Sequence, residues 1–413
     1  MISFQKHQLQ NGLRVLLHQD TSTDIAAVNL MYNVGSRDEN KDVTGLAHLF
    51  EHLMFEGSEH VPEYDRELEW AGGENNAFTN NDVTNYYQTL PALNLDTALW
   101  LEADRMQFLN LTQKKLDIQK SVVIEEFKER YLNQPYGDVM ALVRSLSYKV
   151  HPYQWSTIGK KIDHISQVDL TIALNFYRRF YAPDNAVLAI ASPLEPKAVL
   201  DSVDKWFGDI PAAAQHYERN LPQEPPQKEA RFMEVTRDVP SSMFVRTYPM
   251  AARLHAAYYI HDLISDVLSD GESSRFKTAL VKQQEIFSQV DAYISGDIDP
   301  GLFVIAGKLN DHVSLEDARI AVDNELDKLV VNGIEEKELQ KAKNKALMRL
   351  EEEKSGVLEK AMNLAYFEIL GDIDLLEKQA LYYQNVSPKD FQEACHQLFA
   401  PENQNTLFYK AQE

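Results

Sequence analysis

The order strand, strand, helix occurs twice in this chain, on either side of a segment suited to neither. In the first half "GLRVLLHQ" and "IAAVNLMYNVG" precede "GLAHLFEHLMFEG"; in the second, "ARFMEVTRD" and "SSMFVRTYPM" precede "ARLHAAYYIHDLISDVLSD". Between them lies "PAAAQHYERNLPQEPPQKEA", residues 211–230, rich in proline, glutamine and charge and without the period of a helix or a strand. A chain of 413 residues is too long for one typical core. The repetition says where to divide it: two homologous α+β domains, 1–210 and 230–413, with a linker at 211–229. Each is expected to be a mainly antiparallel sheet with helices packed on one face.

Within the first half, residues 97–112, 115–131, 139–150 and 167–180 read as helices, and "AVLAIAS" at 186–192 as a short buried strand. "GGENNAFTNNDVTNYYQTLP", 72–91, reads as a loop entering one strand that ends at Pro91. In the second half "IEEKELQKAKNKALMRLEEEKSG" reads as a solvated helix held by pairs of opposite charge one turn apart.

Composition excludes several classes of function. A net charge of -22 argues against nucleic acid or an anionic membrane surface as a partner. The single cysteine, Cys395, excludes an internal disulfide framework and a cysteine-rich zinc site, and fits a reducing compartment. No apolar run approaches the ~20 residues of a membrane span, and the first residues have no signal-peptide core. The expected location is cytoplasmic.

Residues 45–57, "GLAHLFEHLMFEG", carry the chemistry. Leu46, Leu49, Phe50, Leu53 and Met54 form the apolar stripe of an amphipathic helix. His48, Glu51 and His52 share an arc of roughly 100° on the opposite side. Imidazoles four residues apart project from one face and can hold a single Zn²⁺. A catalytic zinc takes three protein ligands, leaves one position open, and needs a carboxylate near its water to act as base. His48 and His52 supply two ligands and Glu51 the adjacent carboxylate, in the inverzincin order His-x-x-Glu-His. The third ligand must come from elsewhere, and "SVVIEEFKERY", 121–131, is the best candidate segment. On its helical wheel Glu126 falls between Val122 and Val123, whereas Glu125 and Glu129 point further towards solvent. A carboxylate drawn into an apolar rim is costly unless it is paired or bound to metal, which favours Glu126.

With these residues in view, the chain resembles the pitrilysin/insulinase-type zinc metallopeptidases, and among them the small two-domain members related to mitochondrial processing peptidase. "NVGSRDE", "GLAHLFEHLMFEGS", "GGENNAFTNNDVTNYY", "SVVIEEF", "HPYQWSTIGKKIDHIS", "FYAPDNAVLAIA" and the "NGIEEKELQKAK" helix resemble family segments in the family order. The resemblance implies zinc ligands at His48, His52 and Glu126, with Glu51 as general base. It implies that Gln119 stands where the family often has a glutamate supporting the ligands, a change that tunes the site without abolishing it. It also implies that Asn76, Ala77, Phe78 and Thr79 form an edge strand that pairs with an extended peptide substrate.

One departure matters. Family members usually carry an arginine and, seven residues later, a tyrosine that help to hold substrate and transition state. Here those positions are Val281 and Ser288, with Arg275 and Tyr293 nearby but out of register. The expectation is therefore a zinc-dependent endopeptidase with one Zn²⁺ per chain, acting on peptides or unfolded segments in a water-excluded chamber. It is expected to work as the catalytic subunit of a heterodimer whose homologous partner supplies the missing pair. The alternatives are a peptidase-like scaffold subunit and a self-sufficient homodimeric peptidase.

Overall fold

A computed structural model describes residues 2–214 and 217–412. Of the linker expected at 211–229, residues 215 and 216 therefore lie outside the described residues. In chain order the elements are β1 (Gln5–Gln8), β2 (Arg14–Gln19), β3 (Ile25–Tyr32), α1 (Leu46–Leu53), α2 (Tyr64–Trp70), β4 (Glu74–Thr79), β5 (Thr84–Pro91), α3 (Leu95–Gln107), α4 (Gln113–Phe127), α5 (Val139–Ser147), α6 (Ile162–Ser166), α7 (Leu170–Phe180), β6 (Ala186–Ser192) and α8 (Pro196–Phe207). They continue with β7 (Arg231–Arg237), β8 (Met243–Pro249), α9 (Ala256–Ser269), β9 (Phe287–Ile294), β10 (Leu302–Leu309), α10 (Leu315–Asn332), α11 (Glu336–Glu352), α12 (Val357–Leu370), α13 (Leu375–Asn385), α14 (Pro388–Leu398) and β11 (Asn405–Ala411). The class is α+β, with one sheet ordered β1-β2-β6-β3-β5-β4 and the other β7-β11-β8-β10-β9. Adjacent strands run antiparallel except β2 with β6 and β7 with β11. Among the described residues no helix is long and apolar enough to cross a membrane.

The chain gathers into two compact units. The first comprises Met1–Lys128, Trp155–Leu221 and Glu351–Glu377; the second comprises Glu129–Gln154, Pro222–Leu350 and Lys378–Glu413. Residues 129–154 and 351–377 thus fall across the division expected at the linker. Side-chain chemistry explains both. In the first unit β6 is buried at every residue and β3 at all but its first. Successive strand residues face opposite sides of a sheet, so both sides of the centre need cover. Helix α12 packs against β3 and β6, and ion pairs Lys360–Asp20 (2.6 Å) and Lys6–Glu368 (2.7 Å) fasten that segment. In the second unit Val139, Val143, Tyr148 and Tyr153 join the core formed with Val245, Val304 and Leu407.

Residues 72–91 correct the reading from residue pattern: they form a hairpin, β4 and β5, and not a loop before one strand, with the edge strand that the resemblance implied at 76–79 lying within β4. The turn was legible in "NND". The Asn80 side-chain oxygen accepts the N–H groups of Asp82 (2.8 Å) and Val83 (2.9 Å), as asparagine does in turns. The helix at 334–356 is also less solvated than expected. It runs 336–352 and buries Leu339, Ala342, Lys343, Ala346 and Leu350. Small alanines and a lysine stem hid that stripe.

His261 on α9 gives the second unit a built-in acid sensitivity. It is 7% exposed, and its Nδ1 accepts the Ala251 N–H at 3.4 Å. Burial, assisted by His255, pushes its pKa down to about 4 from 6.5. Between those values the unfolded chain binds a proton that the folded chain refuses. The stabilisation is therefore complete above pH 6.5 and is lost as pH falls towards 4. The contribution is on the order of 3 kcal/mol. Urea midpoints measured across this window should fall with acidification in the wild type and flatten in His261→Gln; parallel curves would refute the assignment.

Candidate metal centre

Helix α1 is held from both ends by buried polar groups. It starts at Gly45, whose φ of +95° is left-handed; a Cβ there would also lie 2.7 Å from the Ile158 carbonyl oxygen, so only glycine fits. Its first N–H groups need acceptors, and Gly45 offers no side chain to cap them. The carboxyl group of Glu39 does so: its oxygens accept the N–H groups of Gly45 and Ala47, each at 2.8 Å. Burial pushes the Glu39 carboxyl up to about 8, against the downward pull of those two bonds. Further along the helix, the Tyr86 hydroxyl donates to the Phe50 carbonyl at 3.2 Å. Leu46, Leu49, Phe50, Leu53 and Met54 are buried, as the periodicity predicts. His48, Glu51 and His52 are half-buried on the opposite face.

Helix α4 supplies the third group. Thr112 caps its start by accepting the Lys115 N–H at 3.3 Å, and Leu116, Val123 and Phe127 are buried. Glu126 sits beside that stripe with its side chain 16% exposed. Its Oε2 lies 3.6 Å from Nε2 of His48 and 3.6 Å from Nε2 of His52. The two imidazoles meet edge to face with centroids 4.9 Å apart. Among the described residues this is the one group of three metal-capable side chains found, with ligand atoms all within 4.8 Å of one another. Atoms bound to one tetrahedral zinc at about 2.0–2.1 Å lie roughly 3.4 Å apart, so the donor set and its spacing fit zinc. Glu125 is instead paired with Lys128 at 2.7 Å and largely exposed, and Glu129 is exposed. Glu51 lies near enough to Tyr86 and Tyr181 for its negative charge to add to the burial that raises both hydroxyls.

The other expected residues are distributed as follows. Gln119, two turns before Glu126 on α4, donates from Nε2 to Glu56 at 2.5 Å. Asn76, Ala77, Phe78 and Thr79 lie on β4, the edge of the six-stranded sheet, with exposure alternating along it. The Ala77 N–H is bonded to Asn76 Oδ1 at 2.8 Å. Ser288 and Tyr293 lie on β9, an edge of the other sheet. Ser288 donates to the Lys308 carbonyl at 3.2 Å, and the Tyr293 hydroxyl contacts Met140 Sδ at 3.6 Å. Arg275 is committed elsewhere, forked onto Glu338 at 2.7 and 2.9 Å. Sequence reasoning missed Glu39, Tyr86 and Glu56. None of the three left a periodic signal; Glu39 shows in the sequence only as an acidic residue six positions before Gly45.

The fold agrees with comparison to known proteins. Residues 14–160 match the insulinase model (peptidase family M16), and residues 167–346 match the inactive-domain model of the same family. The chain belongs to the insulinase family of peptidases, with the two-domain organisation of that family. It is similar to the zinc protease PqqE of Helicobacter pylori, with 27% identity over 416 residues covering 98% of this chain and 93% of the relative. The crystal structure of a protease from Helicobacter pylori superposes with a TM-score of 0.93 at 26% identity, covering 99% of this chain and 100% of that one. The probable mitochondrial-processing peptidase subunit beta of Arabidopsis thaliana is 28% identical over 203 residues, 48% of this chain and 38% of the relative.

Proposed function

We propose that this chain is a zinc-dependent endopeptidase for peptides or unfolded segments, in which His48, His52 and Glu126 hold one Zn²⁺ and Glu51 is the general base. The observation that carries this reading is the convergence of three donor atoms from α1 and α4 within 4.8 Å, with Glu51 on the same helix face as the two histidines. Zinc in such a site polarises a carbonyl and lowers the pKa of water towards ~7. Glu51 accepts the proton of the attacking water and delivers it to the leaving amine. Glu39 and Tyr86 hold α1 so that the three side chains keep their relative positions, and Gln119 adjusts the ligand helix from behind. A substrate in extended form pairs with Asn76–Thr79, gaining affinity from main-chain bonds that tolerate many sequences. The single, buried Cys395 supports action in a reducing, cytoplasmic setting.

The reading includes a division of labour between subunits, because Val281 and Ser288 replace the arginine and tyrosine that the family resemblance leads one to expect. The similarity to a named processing-peptidase subunit supports it. The primary test is hydrolysis of a fluorogenic peptide by the chain and its candidate partner, with metal content measured in parallel. About one zinc per chain is expected, with activity lost to a chelator and restored by added zinc. Absence of zinc after reconstitution at neutral pH would sink the proposal. Zinc without hydrolysis in any pairing would leave the scaffold role in its place.

A further inference from the structure

We propose that Asp262, Asp266 and Arg349 are the second unit's counterpart of the His48, His52 and Glu126 cluster: an ion triad in which a guanidinium built into the chain fastens α9 to α11 as a metal would fasten α1 to α4. The comparison with a metal rests on the zinc reading of the first unit; the fastening itself does not.

The correspondence starts from topology. The order β2-β6-β3-β5-β4 in one sheet matches β7-β11-β8-β10-β9 in the other. The parallel pair falls at the same place in both, β2 with β6 and β7 with β11. Helices α1 and α9 each follow the second strand of this set, and α4 and α11 each follow the helix after its hairpin. Residue register follows from packing. Laying "LAHLFEHLMFEG", 46–57, over "IHDLISDVLSDG", 260–271, puts buried Leu49, Phe50, Leu53 and Met54 over buried Leu263, Ile264, Val267 and Leu268. It also aligns two glycines of left-handed conformation, Gly57 at φ +85° and Gly271 at φ +87°. His48 then falls on Asp262, His52 on Asp266 and Glu51 on Ser265.

Laying "QKKLDIQKSVVIEEF", 113–127, over "EKELQKAKNKALMRL", 336–350, aligns fully buried Leu116 with Leu339 and buried Val123 with Ala346. Lys120 and Lys343 coincide, and each donates its ammonium to a backbone carbonyl. Glu126 falls on Arg349.

The chemistry is exchanged at all three positions, carboxylates for the two imidazoles and a guanidinium for the carboxylate, and the group is closed. Arg349 Nη2 lies 2.7 Å from Asp266 and 3.4 Å from Asp262, while its Nη1 reaches Asp270 at 3.6 Å. Tyr383 donates to Asp262 at 2.6 Å. A guanidinium presents its donors as a planar fork that carboxylates grip from two sides. Where the first unit has the carboxylate Glu51, the second has Ser265, whose hydroxyl is spent on the Asp262 carbonyl at 2.8 Å. This site therefore carries its own cation and has no base.

The test is chemical rescue in the full-length chain. Arg349→Ala should lower the melting temperature of the second unit by about 2–4 °C. Methylguanidinium at roughly tens of millimolar should recover part of that loss with saturable dependence. It should do nothing comparable for wild type or for Asp262→Asn/Asp266→Asn/Arg349→Ala. Bound zinc should equal the wild-type value throughout, which separates this outcome from failure of the zinc reading. An unchanged melting temperature in Arg349→Ala, or a loss that methylguanidinium does not reverse, overturns the proposal. If Arg349→Ala does not fold, Arg349→Lys decides: one ammonium cannot fork across two carboxylates, so its melting temperature should fall below wild type, and equality overturns the proposal.

Discussion

A chain carrying Glu51→Gln should bind about one zinc yet hydrolyse peptides on the order of 10²–10⁴-fold more slowly than wild type. Glutamine keeps the shape and the half-buried position of Glu51 but has no oxygen able to hold a proton at neutral pH. It leaves the three donor atoms of His48, His52 and Glu126 as they are. His48→Ala should behave differently, removing one of three ligands and losing metal and activity together. The pair of results separates a base from a ligand: metal analysis after dialysis against a weak chelator, with turnover on the same samples. Loss of zinc from Glu51→Gln to the extent seen in His48→Ala would make Glu51 a ligand and dismantle the assigned roles. Full metal retention in Glu126→Ala would move the third ligand along α4, against the geometry, since Glu125 is tied to Lys128.

The same residues show which parts of a site a sequence exposes. Helix α1 is legible because its apolar positions recur every three to four residues and leave the histidines on the far side. Glu126 is legible because burying a carboxylate next to Val123 is costly without a partner, and the structure puts it 3.6 Å from both imidazoles. Glu39 is not legible by such rules, because its two bonds to α1 depend on how residues 40–44 turn, and no periodicity encodes that. Strand β4 escapes the residue pattern for a related reason, and only the family resemblance pointed to an edge strand there. As an edge strand it exposes Glu74, Asn76 and Phe78, so its pattern lacks the apolar alternation of a half-buried strand. The course of residues 351–377 is hidden more deeply. The apolar face of α12 shows that the helix is buried, while its pairing with β3 and β6 follows from the need to cover a sheet more than 150 positions earlier in the chain. The triad around Arg349 becomes visible only once the two sheets are compared strand by strand. Its aspartates, read alone, are an ordinary stripe at helical spacing.

Expressed by itself, this chain should be a weak peptidase, roughly 10²–10³-fold below its activity with the right partner. A developing oxyanion is stabilised by donors held in place before reaction, and the loss of one such donor has about that cost. Valine at 281 donates nothing. Ser288 sits on edge strand β9 with its hydroxyl directed to the Lys308 carbonyl. Two substitutes were conceivable from sequence, and the structure places both. Arg275 is forked onto Glu338 and also reaches the Gly333 carbonyl at 3.3 Å; releasing it would leave that carboxylate without its cation. Tyr293 shares β9 with Ser288 and is 40% exposed, its hydroxyl against Met140, five positions from where the family pattern puts a tyrosine. The expected partner is a homologous two-domain chain that lacks His-x-x-Glu-His and carries the arginine and tyrosine. Turnover of one fluorogenic peptide by this chain alone, by the candidate partner alone and by the mixture tests the idea, with Arg275→Ala and Tyr293→Phe as controls. The mixture should be active, each chain alone feeble, and both control variants indistinguishable from wild type in the mixture. Full activity from this chain alone would refute the division of labour, and collapse of that activity in Tyr293→Phe would identify Tyr293 as the group that makes a homodimer sufficient.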